Sequence, residues 1–221
     1  MEDWLRAVLW DMDGVLIVSA DVHYESWTRV LGDYGLTMSR EQFGETFGMN
    51  NHGLLRWLYG PQLSPQQVDE IAERKEALYR QLIRGRAQPL PGAREWLGRL
   101  AREGWRQAVA SSGPMANIAA ILNELDVWPA FDLVLTGAHL ARSKPDPAIF
   151  MQAAAGLGVT PARCVVVEDA RVGIEAARRA GMHALGVTTT HRAEELRAAD
   201  LVVDRLDQLP PDAFERLVPL P

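Results

Sequence analysis

Four short segments hold most of the residues whose types could do chemistry together. Asp11 and Asp13 flank Met12, Ser111 and Ser112 are adjacent, Lys144 lies in Ser143-Lys144-Pro145-Asp146-Pro147, and Glu168 precedes Asp169. Four carboxylates gathered at one place repel one another and hold protons unless a cation joins them. The donors are oxygens, with no Cys or His in these segments, so a hard ion is expected, Mg²⁺ above Zn²⁺. Its candidate ligands are Asp11, Asp13, Glu168 and Asp169. Gly14 lets the chain turn sharply after Asp13. Lys144 is conspicuous because the 23 Lys+Arg residues include two lysines, Lys75 and Lys144. A lysine held between Ser143 and Pro145 suggests a compact point charge facing the acids and a bound phosphate. Ser111 offers a hydroxyl, and the N–H groups near Ser112 and Gly113 lead into a helix starting near Pro114, which suits an anion. Ser112 reads equally well as a plain helix cap.

These residues fall at the ends of short apolar runs. Residues 7–10 (AVLW), 107–110 (QAVA), 133–136 (LVLT), 164–167 (CVVV), 184–187 (ALGV) and 201–203 (LVV) are predicted strands. Helical patterns over 93–103, 115–125, 147–157 and 172–180 alternate with them. Such alternation predicts an α/β fold, a Rossmann-like parallel sheet with helices on both faces. Ligands of such sheets bind outside the carboxyl ends of the strands, where all four polar segments lie. Residues 20–31, 40–47, 51–59 and 65–84 read as helices without a buried strand among them. A small α-helical cap over 18–87 is therefore expected, inserted after the first strand into a core of 1–17 and 88–221. Trp27, Trp57 and Trp96 sit at apolar helix positions and are expected to pack in cores, as is Cys164.

The 221 residues amount to 24.5 kDa, with 48% hydrophobic and 24% charged residues. This is an ordinary globular composition and excludes fibrous or disordered classes. A net charge of −6 disfavours nucleic acid and anionic membrane as partners. One cysteine excludes an internal disulfide framework. No apolar run approaches a membrane span, and the start of the chain does not read as a signal peptide. A cytoplasmic monomer is expected.

The four segments, in this order and across nearly the whole chain, resemble the motifs of the haloacid dehalogenase superfamily. Asp11-Met12-Asp13-Gly14-Val15-Leu16 is similar to its first motif, Ala110-Ser111-Ser112-Gly113 to the second, Lys144-Pro145-Asp146-Pro147 to the third and Val167-Glu168-Asp169-Ala170 to the fourth. Pro89-Leu90-Pro91-Gly92 is similar to the usual return from the cap. In style the chain resembles the group containing phosphoglycolate phosphatase and β-phosphoglucomutase. The resemblance implies a Mg²⁺-dependent phosphatase for a small phosphorylated metabolite. Asp11 would be the nucleophile and Asp13 the general acid and base. Asp11, the Asp13 backbone carbonyl and Asp169 would hold the metal, with Glu168 supporting its water shell or Lys144. Ser111, Ser112 and Lys144 would hold the phosphoryl oxygens.

Asp13, which the dehalogenase branch lacks, favours phosphate esters. Carbon–phosphorus cleavage would call for a Schiff-base lysine in the cap. The only lysine there, Lys75, lies in a long charged helix pattern and reads as a solvated face. His23 matches a position that faces the site in some relatives. Asn51 stands near the place where mutase-like relatives carry a basic residue for a second phosphate. His52 and Arg56 are weaker substrate-facing candidates. A β-phosphoglucomutase-like phosphotransferase and a non-catalytic binding protein are the alternatives.

Overall fold

The computed structural model describes residues 5–220. Six strands, β1 (Ala7–Trp10), β2 (Arg106–Ser111), β3 (Leu133–Thr136), β4 (Cys164–Glu168), β5 (His183–Val187) and β6 (Leu201–Val203), form one sheet in the order β3-β2-β1-β4-β5-β6. Every pairing is parallel. The runs are apolar because both faces of the sheet are covered. Odd and even positions separate cleanly. Val8, Trp10, Val109, Val165 and Val167 join one core with α5 (Ala93–Arg102), α6 (Met115–Glu124) and α9 (Ala213–Leu217). Leu9, Ala108, Ala110 and Val166 join the other with α7 (Ala148–Leu157) and α8 (Arg171–Arg179). Cys164 is buried in this second core, and burial pushes its thiol up to about 12.

The strand order reverses at β1, between β2 and β4. A crevice opens at the carboxyl ends of strands at such a reversal. Trp10 pairs with Val109 and Val167, so Asp11, Ser111 and Glu168 reach the same edge. Both β2 and β4 run one residue past their apolar stretches, and Ser111 and Glu168 are strand residues.

Between β1 and α5 lie α1 (Ala20–Asp33), α2 (Arg40–Thr46), α3 (Asn51–Tyr59) and α4 (Pro65–Ile83). Their starts are written locally. Ser39 with Gln42, and Ser64 with Gln67, form capping boxes, and Asn50 caps α3. Trp27, Leu31, Phe43, Leu55 and Ile71 centre a third apolar cluster. The chain leaves and re-enters the α/β layers at adjacent points, where Ile17 bridges Pro89. Trp27 and Trp96 are buried as expected, but Trp57 is exposed. In α3 the buried positions are Leu54 and Leu55, and Trp57 falls off their stripe. Among the described residues no helix is long and apolar enough to cross a membrane.

Candidate active site

Asp11 begins where β1 ends, its N–H donating to Val167 O at 3.0 Å. Lys144 Nζ lies 2.6 Å from Asp11 Oδ1 and 2.6 Å from Glu168 Oε1, and all three side chains are buried. Burial opposes a charged lysine, but the two carboxylates more than compensate and hold Lys144 well above its ordinary pKa. Burial acts on Asp11 in the other direction. It raises the carboxyl, Lys144 restrains the rise, and Glu168 and Asp13 add to it, leaving Asp11 at about 7. One ammonium is too little cation for this group of acids.

One ligand oxygen each from Asp11, Glu168 and Asp169 lies within 4.8 Å of the others. Asp169 Oδ2 accepts from the Thr190 hydroxyl, while Asp169 Oδ1 is buried without a hydrogen-bond partner. Burial, then Glu168 and Asp11, raise the Asp169 carboxyl well above its ordinary value. Gly14 makes room for this side chain. Its φ is +79°, and a Cβ there would lie 1.8 Å from Asp169 Oδ2.

The Asp13 carboxylate turns elsewhere. Its Oδ1 accepts from Ser19 Oγ at 2.6 Å and from Tyr79 OH at 3.3 Å, and lies 3.0 Å from His23 Nε2. The His23 ring stacks on Tyr79 at 3.9 Å, and Lys75 Nζ is 2.8 Å from His23 Nδ1. A lysine ammonium can only donate, so His23 Nδ1 is the acceptor and Nε2–H points at Asp13. Burial alone would raise Asp13, but His23, Ser19 and Lys75 outweigh it and bring the carboxyl down to about 2.

The helical segment reaches over the crevice. Ser112 Oγ donates to Gly48 O at 2.7 Å, and Asn50 Nδ2 to Gly137 O at 3.2 Å. Glu76 Oε1 accepts from Lys75 and Asn51, each at 2.8 Å, and Oε2 accepts from Asn117 at 2.5 Å. A cavity of about 50 Å³ remains between the layers, lined by Asp11, Asp13, Ser111, Asn51, Lys75 and Glu76 among others.

Residues 5–181 match the haloacid dehalogenase-like hydrolases. The chain belongs to this family. The β-phosphoglucomutase of Bacillus subtilis is 32% identical over 213 residues, covering 93% of this chain and 92% of that protein. The fructose-1-phosphate phosphatase of Escherichia coli is 31% identical over 190 residues, 85% of this chain and 98% of the phosphatase. A crystal structure of β-phosphoglucomutase from Clostridium difficile superposes with a TM-score of 0.86 at 27% identity, over 96% of each chain. Named phosphatases among its relatives make this haloacid dehalogenase-like chain a phosphoric monoester hydrolase.

Within the family fold, the expected residues divide into two groups. Asp11, Ser111, Lys144, Glu168 and Asp169 converge at the strand ends, and of these Asp11 and Ser111 line the cavity together with His23 and Asn51. Asp13 lines the cavity but its carboxylate stands outside the acidic triad, so its side chain is not with the candidate metal ligands. Ser112 does not cap α6, whose N-cap position is Pro114 without a side-chain bond; its hydroxyl is committed to Gly48. His52 and Arg56 lie outside the cavity, His52 paired with exposed Asp69.

Lys75 contradicts its expected solvated face. It is 2% exposed, paired with Glu76 and set 5.1 Å from the Trp27 ring centroid. The signal was available: Val68, Ile71, Ala72, Lys75, Tyr79 and Ile83 follow one helical stripe of α4 and are all buried. Thr190 and Glu76 were also missed. Thr190 follows β5 at the same sheet edge, where the rule that found Ser111 applies.

The triad fits a divalent cation. Its donors are all oxygens, its charge exceeds that of Lys144, and Asp169 Oδ1 is a buried acceptor awaiting a partner. Thr190 fixes which oxygen of Asp169 is presented. Thr190→Val should therefore weaken divalent-cation binding about 10- to 100-fold, with little change in melting temperature of the metal-free protein. Calorimetric titration with Mg²⁺ and with Mn²⁺ reads this directly.

Proposed function

We propose that this chain is a Mg²⁺-dependent phosphatase for a small phosphorylated metabolite, acting through an aspartyl-phosphate on Asp11. The observation that carries the reading is Asp11 itself. It is a buried carboxylate at the strand-order reversal, steadied by Lys144 on Oδ1 and facing the cavity. An oxygen of Asp11 attacks phosphorus in line, and the bond from phosphorus to the ester oxygen breaks. The departing oxygen takes a proton from the Asp13 carboxyl. Asp13, now a carboxylate, takes a proton from water, which attacks phosphorus and breaks the bond to Asp11. Inorganic phosphate leaves and Asp11 is restored.

Asp11, Asp169, the Asp13 backbone carbonyl and the support of Glu168 are the proposed metal site. Bound Mg²⁺ would offset the negative charge shared by the carboxylates and the phosphate. Glu168 has its Oε2 on the N–H groups of Asp169 and Ala170, each at 3.2 Å, so it also fixes the turn that presents Asp169. Ser111 and the N–H groups of its loop, with Lys144, are the proposed holders of the phosphoryl oxygens.

With His23 and Ser19 on Asp13, the carboxyl is held at about 2, so it rests as a carboxylate and is a weak base while those contacts last. Giving a proton to the leaving oxygen requires that they loosen. His23 and Lys75 belong to α1 and α4, so movement of residues 18–87 as a cap would couple substrate closure to Asp13's protonation.

The mutase reading draws on the 32% identical Bacillus subtilis relative. It differs only in the acceptor, a second hydroxyl in place of water. A binding protein without catalysis would leave the buried Asp11, Lys144 and Asp169 charges without a use. The test is phosphate release from a panel of phosphorylated sugars and polyols, with Mg²⁺ and with chelator. Metal-dependent release supports the phosphatase. Interconversion of phosphate isomers without release supports the mutase.

A further inference from the structure

The part of the cavity wall made by α3 and α4 carries a charge that the proposed reaction does not use. Glu76 is 6% exposed and lines the cavity beside Asn51 and Lys75. Burial opposes its ionisation, but Lys75, His23 and the bonds from Lys75 and Asn51 outweigh that and keep it a carboxylate. The ionisable lining thus comprises three carboxylates, Asp11, Asp13 and Glu76, against the ammonium of Lys75, with the His23 ring committed between Lys75 and Asp13.

Lys75 is already spoken for by Glu76 and His23. Among the described residues no arginine lines the cavity. Arg80 lines a wider groove of about 680 Å³ instead, and it donates to Asn117 Oδ1 at 2.9 Å. Asn51 and Glu76 line both spaces and form the wall between them. The rest of the cavity is apolar or aromatic, with Trp27, Phe43, Phe47 and Leu54.

These features set the chemistry of the group bonded to the phosphoryl oxygen. Carboxylate and amide oxygens accept bonds from hydroxyls, an ammonium donates to them, and aromatic rings cover C–H faces. A second phosphate on the same skeleton would meet Glu76 with no uncommitted cation to offset the repulsion, and discrimination by such a clash is strong in a buried site. We propose that Glu76, held by Asn51 and Lys75, is a specificity residue that admits a hydroxyl-rich leaving group and rejects substrates carrying a second phosphate. This inference rests on the phosphatase reading for which phosphate is transferred, but its own content is the selectivity of the wall.

Binding separates the two. Asp11→Asn protein, which holds an ester without turning it over, is titrated calorimetrically in Mg²⁺ with fructose 1-phosphate, fructose 6-phosphate and fructose 1,6-bisphosphate. The better of the two monophosphates should bind about 100-fold more tightly than the bisphosphate that contains it. Glu76→Gln in the same background should narrow the first ratio at least tenfold. Asn51→Arg, which sets a cation against Glu76 and leaves the Lys75 pair in place, should narrow it as well; it covers the case in which the Gln variant fails to fold. Equal or tighter binding of the bisphosphate would overturn the inference, as would a ratio that neither variant moves. Absence of phosphate release from wild type with any of these esters would count against the phosphatase reading, while the binding ratios would still decide the selectivity.

Discussion

Asp11→Asn should reduce phosphate release by about 10⁴-fold or more, because no other group can take the nucleophile's place. The fold should survive, since Asn has the same shape and its side-chain oxygen can still accept from Lys144 Nζ, as Asp11 Oδ1 does at 2.6 Å. The variant should also change how stability depends on pH. Asp11 has a folded pKa of about 7, above its ordinary value of 3.8. The metal-free folded state therefore binds more protons than the unfolded state over this window, and stability falls as pH rises through it. Asp169, also raised, extends the fall. Melting temperatures of the metal-free protein from pH 5 to pH 8 should decline for wild type and decline less for Asp11→Asn. Mg²⁺ should raise the wild-type value most at the upper end, where protons compete least for the ligand oxygens. A flat wild-type profile would mean that the acids are already neutralised by the protein.

Lys144→Met should be the most damaging single change to stability. The lysine is 2% exposed and bridges Asp11 and Glu168, each at 2.6 Å. Removing one partner of a buried ion pair costs about 3–5 kcal/mol, because the remaining charges are left uncompensated. In a chain of this size that corresponds to a fall of roughly 6–20 °C in melting temperature. Acidification should narrow the gap to wild type, since stranded carboxylates can protonate. A gap that widens at low pH would show that Lys144 acts by packing against Phe150, whose ring centroid is 5.0 Å away, more than by charge. Activity should be lost even where the variant is folded, since Lys144 both steadies Asp11 and faces the phosphoryl group in the proposed mechanism.

The core of the site was legible because a parallel sheet writes itself as apolar runs with polar residues at their ends. Trp10 to Asp11, Ala110 to Ser111 and Val167 to Glu168 are such transitions, and register then forces convergence. The side of the site made by α1 and α4 was harder to read. Lys75 and Glu76 look like any charged pair on an amphipathic helix. Only the phase of the buried stripe shows that Lys75 points inward, and only the fold shows that Glu76, Asn51 and Asn117 meet. Asp13 illustrates a different limit. Its place in the chain suggests company with Asp11, but Ser19, His23 and Tyr79 determine where its carboxylate points. Spacing along a turn does not encode side-chain direction when partners come from elsewhere in the chain. Thr190 was overlooked for a simpler reason, since a threonine in a Thr-Thr-Thr run carries no charge to draw notice.

The central claim is that phosphate passes through Asp11. Wild-type protein is mixed with a ³²P-labelled ester that the panel identifies as a substrate, in Mg²⁺, and quenched in acid within the first turnover. Peptides are then mapped for covalent label. The account predicts an acid-stable, hydroxylamine-labile phosphoryl group on the peptide containing Asp11, which forms before free phosphate and disappears as phosphate is released. Full release with no covalent label at any time, or an acid-stable label confined to a peptide without Asp11, would contradict it.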